Sequence, residues 1–119
     1  MKIETRYLAI VITLSPKEAI YGGGVYVTEE AAQARARDVA NVISSSSCEG
    51  RAVTVTNSGH LLPVMVGDRL FCCLSMTRET YGGLQVKASP LFYSMRLAED
   101  YRSDVNKYSN CSRIVSVRW

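Results

Sequence analysis

One pattern constrains this chain above all others. The order strand, strand, helix, strand can be read along its first half and again along its second. Residues 6–14, Arg-Tyr-Leu-Ala-Ile-Val-Ile-Thr-Leu, form a β-branched run suited to a strand covered on both faces. Ser15-Pro16 ends it, and Gly22-Gly23-Gly24 reads as a loop leading to a short strand, Val25-Tyr26-Val27. Thr28 is placed as a helix cap, with Glu29 and Glu30 in the first turn, where the helix dipole favours anions. That helix is expected to reach about Ile43, with Ala32, Ala36, Val39 and Ala40 on its apolar face.

Residues 51–56 alternate as a strand, and Asn57-Ser58-Gly59 supplies turn chemistry. Residues 60–66 read as a returning strand, which Pro63 confines to an edge. Gly67-Asp68 makes a second turn, Leu70 to Met76 is apolar enough for a central strand, and 84–88 is a short one. Ser89-Pro90 carries the signature of a helix start, a cap followed by proline at the first helical position. Leu91, Met95, Ala98, Tyr101, Val105 and Tyr108 then recur at spacings of three and four. Residues 113–118 close the chain with a strand.

Specific residues recur with this order. Arg6 matches Arg69, Tyr21-Gly22-Gly23 matches Tyr81-Gly82-Gly83, and Thr28 matches Ser89. Cys48 matches Cys111, and the strand headed by Arg51 matches the one headed by Arg113. Fixed-offset self-similarity marks duplication, so the expectation is a pseudo-twofold pair of ββαβ units, residues 1–59 and 60–119. The expected fold class is α+β, a single domain over 1–119 with a mostly antiparallel sheet and two helices on one face.

At 119 residues, 47% hydrophobic and 21% charged, the chain has the size and balance of one globular domain and is too apolar for disorder. No apolar run is long enough to cross a bilayer as a helix, and Glu4 and Arg6 interrupt the stretch a signal peptide would need. A cytoplasmic protein is expected. Cys72 and Cys73 adjoin in an apolar run and would point to opposite faces of a strand. With one His and no C-x2-C spacing, the reading includes no metal site and no cofactor.

The net charge of +3 is mild, but its chemistry is biased: ten Arg against four Lys, with seven Tyr. Both residue types offer rigid contact surface together with hydrogen bonds. Two Tyr-Gly-Gly segments (Tyr21, Gly22, Gly23 and Tyr81, Gly82, Gly83) are candidate binding loops, since glycine admits close backbone approach and tyrosine stacks. Neither matches a phosphate loop or a dinucleotide fingerprint. Arg51 and Arg113 are candidate anion contacts, and Phe92, Tyr93 and Arg96, placed on the second helix, a candidate protein-contact patch. His60, the only His, follows a turn glycine while the cysteines sit in or beside strands, so Cys-His catalysis ranks last. The expected function is that of a non-catalytic binding protein of the inhibitor or antagonist type. It would engage a protein partner through its Arg/Tyr surface and associate with itself as a homo-oligomer. Binding of a nucleotide or nucleic acid by the paired loops is the alternative.

Overall fold

The computed structural model describes residues 4–15, 18–43, 47–56, 64–78, 83–107 and 111–119. The elements follow as β1 (Thr5–Ser15), β2 (Ala19–Tyr26), α1 (Glu29–Val42), β3 (Ser47–Thr56), β4 (Arg69–Arg78), β5 (Leu84–Ala88), α2 (Met95–Val105) and β6 (Cys111–Arg118). The α+β class holds, and all strand pairing among the described residues is antiparallel. The strands divide into two three-stranded sheets, β2-β1-β3 and β5-β4-β6. Each half is therefore a ββαβ unit with its first strand in the centre.

Strand alternation explains why the sheets stack. On β1, Leu8, Ile10 and Ile12 share one face, and on β4 so do Leu70, Cys72, Leu74 and Met76; all are fully buried. These two faces meet in one core with Ile20, Val55, Leu91, Val117 and Trp119. The opposite face of β1 carries Ala9, which packs under Ala32 and Ala36 of α1. Helix α2 lies against β4 and β6, over the side that buries Cys73. The helices thus cover the outer sides of two different sheets, which corrects the expectation of one shared face.

Helix α1 begins where expected. Thr28 Oγ1 accepts from the Ala31 amide at 3.2 Å, and Glu29 and Glu30 occupy the first turn. Its approach to β3 depends on Gly50, where a Cβ would stand 2.4 Å from the main chain of Ala36. The turn at Gly67 is also as expected: its φ of +92° favours glycine, and Asp68 Oδ2 accepts from the Met65 amide at 2.9 Å. Residues 57–63, with the predicted turn and His60, lie outside the described residues, and 64–66 are not in a strand.

Two further expectations are corrected. Gly22-Gly23-Gly24 is not a loop but the middle of β2, where Gly22 pairs with Ile10. Ser89-Pro90 does not start a helix; α2 starts six residues later, capped by Ser94, whose Oγ accepts from the Arg96 amide at 3.1 Å. Ser89 instead adds a rung to the β4–β5 ladder. Its amide donates to the Cys73 carbonyl at 2.9 Å and its Oγ accepts from the Cys73 amide at 2.8 Å. Phe92 then exchanges two main-chain bonds with Phe71, so Leu91 enters the core from an extended segment.

Register tests the recurring anchors. Counted from the first residue of each central strand, Thr5 of β1 and Arg69 of β4, Ile10 and Leu74 fall at the same position, and they pair with Arg51 on β3 and Arg113 on β6, so the two arginines occupy equivalent rungs. The other anchors do not coincide. Gly22 opposite Ile10 has Ala88 opposite Leu74 as its counterpart, and Gly83 precedes β5 altogether. Arg6 sits over the Trp119 ring at 4.3 Å, whereas Arg69 is exposed. Cys111 pairs with Met76, but the counterpart of Met76 is Ile12, which pairs with Glu49 and not Cys48.

Candidate functional site

The site forms where β2 runs beside β6. A Cβ on Gly22 would lie 2.8 Å from Val115 Cγ1, so the missing side chain is what lets the sheets close together at this edge. Gly23 faces the other way, 3.2 Å from the Ala9 carbonyl oxygen. Tyr21 pairs with Val11 at the outer margin of the sheet and is 43% exposed. From β6, the Arg113 guanidinium lies over the Tyr21 ring, 5.0 Å from its centroid. A small apolar recess of about 40 Å³ opens alongside, between β2 and α1, lined by Ala9, Val11, Gly22, Gly23, Ala36 and Val39 together with Tyr21 and Arg35.

The ion pairs of the described residues are Arg6–Glu4, Arg51–Glu49 and Arg78–Glu18. Arg35 and Arg113 belong to none of them. The sheet edge therefore presents two guanidiniums outside the ion pairs of the described residues, a phenol with one ring face occupied, and a hole of about a methyl group's size or a little more.

The other sequence candidates are not gathered here. Arg51 is engaged by both oxygens of Glu49, at 2.9 and 3.1 Å, and donates to the Leu84 carbonyl across the sandwich at 2.7 Å. Phe92, Tyr93 and Arg96 stand at the entry to α2. Phe92 lies 6.0 Å from the Tyr101 ring, the Tyr93 hydroxyl donates to Asp68 Oδ2 at 3.1 Å, and Arg96 is exposed. Partial burial and the Asp68 carboxylate push the Tyr93 hydroxyl above its usual range. Tyr81 and Gly82 lie outside the described residues and Gly83 is exposed, so the described residues do not bring the two Tyr-Gly-Gly segments together.

Burial pushes the Cys72 thiol up to about 11, the reverse of an activated nucleophile. No three His, Cys, Asp or Glu side chains cluster as metal ligands among the described residues. The residue that sequence reasoning did not single out for the site is Arg35. Its spacing of four from Val39 puts the two on one side of α1, but only the fold shows that β2 lies beneath them.

Fold and site together define a small α+β sandwich with one preformed guanidinium–phenol surface at an edge. Comparison with known proteins gives no match: no family model, no curated protein and no solved structure corresponds to this chain. Among the described residues no helix is long and apolar enough to cross a membrane.

Proposed function

We propose that this chain is a non-catalytic binding protein that grips a protein partner at the β2/β6 edge, in the manner of inhibitors and antagonists. The observation that carries the reading is the Arg113 guanidinium stacked on the exposed Tyr21 ring. The ring restrains the guanidinium through its face, a contact that uses none of its N–H donors. It thereby reduces the side-chain entropy lost when a carboxylate is engaged in two places. Arg35 supplies a second cation, and the recess that it lines with Tyr21 accepts a small apolar side chain. The complementary surface is a carboxylate beside a short aliphatic group. Four free thiols fit a reducing compartment.

The test is capture from lysate on the immobilised protein, with the captured partner then titrated against variants. Arg113→Ala and Tyr21→Ala are each expected to weaken binding by about tenfold or more, a usual size for a central contact, without lowering the melting temperature. Unchanged affinity in both variants overturns the reading. A nucleic-acid partner would draw on the same ring and cations, and it is told apart by affinity that falls steeply as salt rises.

A further inference from the structure

The edge of the sandwich opposite Tyr21 is open where the first is closed. There β3 and β5, outer strands of different sheets, flank a groove of about 410 Å³ lined by Ala52, Val53, Thr54, Val86, Lys87 and Ala88. Antiparallel pairing turns the peptide groups of alternate residues away from the neighbouring strand. On β3 the outward set is marked by Gln33, whose side-chain amide donates to the Gly50 carbonyl at 2.9 Å and accepts from the Ala52 amide at 3.2 Å. Thr56 in the same set accepts from the Leu91 amide at 3.3 Å. The edge of β3 is therefore largely covered.

The edge of β5 is not. The Ser89 amide points inward to Cys73, which makes Leu84, Val86 and Ala88 the outward residues. Arg51 already donates to the Leu84 carbonyl, showing that a donor at the end of the groove reaches this row. The outward main-chain groups of Val86 and Ala88 have no partner among the described residues. The Arg51 bridge closes one end of the groove, and the crossing of residues 89–91 toward β3 closes the other. The opening thus admits a segment of only a few residues at about 3.3 Å each.

We infer that this groove binds a short extended peptide segment of a partner, added as a strand on β5, with an acidic side chain beside Lys87 and small apolar side chains over Val53 and Val86. Main-chain pairing supplies the attraction, and the half-buried valines select short side chains. Charge complementarity selects the acid. Lys87 is the one charged residue lining the groove and has no ion-pair partner among the described residues. A second copy fits poorly, because β5 carries Lys87 and no acid, and two such edges would bring cations together. This surface is separate from the Tyr21 site and does not depend on it.

The test uses the full chain and two pools of labelled pentapeptides, drawn from Ala, Val, Ser and Thr around a central Glu or a central Lys, read by fluorescence anisotropy. The Glu pool is expected to bind about tenfold or more tighter than the Lys pool. Lys87→Glu should reverse that preference, and N-methylation of alternate peptide amides should abolish binding. Val86→Pro removes an outward N–H at an edge position where proline is tolerated, and it should abolish binding with the circular dichroism spectrum intact. Where that variant fails to fold, the Lys87→Glu reversal and the N-methylated pool decide. Equal binding of the two pools, or none up to about 1 mM peptide, overturns the proposal. So does a peptide-free dimer, seen by light scattering, that Val86→Pro dissolves.

Discussion

A hydrogen atom in place of a methyl group decides how near two elements of this protein come, and it does so at two glycines with different consequences. At Gly50 the absent Cβ would meet the main chain of Ala36 at 2.4 Å and the Arg37 amide at 2.7 Å, neither of which can yield without moving α1. At Gly22 it would meet a methyl of Val115, which can shift. Gly50→Ala is expected to cost about 1–3 kcal/mol, the usual range for forced overpacking, and Gly22→Ala less. Urea denaturation of both variants checks the order, and a Gly50→Ala midpoint equal to wild type would refute it. Glycine runs read as loops in sequence because the partner that demands them is distant in the chain; Val115 is invisible from residue 22. Cys72 makes a second residue-level case. Its thiol ordinarily ionises near 9.0 and is pushed up to about 11 by burial. The folded form therefore holds its proton where the unfolded form has lost it. Its contribution is complete below pH 9.0 and disappears as pH rises toward 11. Cys72→Val should flatten the fall of unfolding free energy across that interval relative to wild type; identical profiles would count against it.

At the level of elements, legibility followed the range of the interactions that fix each boundary. Helix α1 is capped by Thr28 through a contact three residues long, so its start could be read from sequence, as could β5, bounded by a following Ser-Pro. Helix α2 could not. The Ser89-Pro90 pair fits the local rule for a helix start, but the Cys73 main chain claims both the amide and the hydroxyl of Ser89. Phe71 holds Phe92 extended as well. Leu91 and Met95 have helical spacing, yet the first faces the core from the extended residue before the Phe71–Phe92 bridge and the second is half-exposed. The two serines can be separated by experiment. Ser94→Ala removes an exposed cap and is expected to cost about 1 kcal/mol. Ser89→Ala strands the buried Cys73 amide, at a cost of about 1–3 kcal/mol. Ser89→Ala should therefore be the more destabilising in chemical denaturation; the reverse order would return Ser89 to the role of a helix cap.

For the whole molecule, the recurring order of elements was legible because each unit writes its own local pattern. The division into two sheets was not, since stacking depends on which faces find each other. Arg51 and Arg113 show the relation between the halves. They occupy equivalent rungs, and each reaches from an outer strand of its own sheet to an outer strand of the other: Arg51 to Leu84 on β5, Arg113 to Tyr21 on β2. One became a structural bridge because Glu49 holds it. The other lies over the Tyr21 ring, and no carboxylate among the described residues pairs with it. Between these bridges lies a single core to which both halves contribute, Leu8, Ile10 and Ile12 from the first, Leu70, Leu74 and Met76 from the second. Neither sheet has another apolar cover for its inner face, so separating the halves would expose both inner faces to water at once. Unfolding should then be one cooperative transition. Trp119 reports on it directly: as the only tryptophan, 6% exposed and packed in the shared core, its emission should shift to the red at the same urea concentration at which far-ultraviolet circular dichroism is lost. Two separated midpoints would mean that one ββαβ unit holds together without the other, and the shared core would not be what joins them.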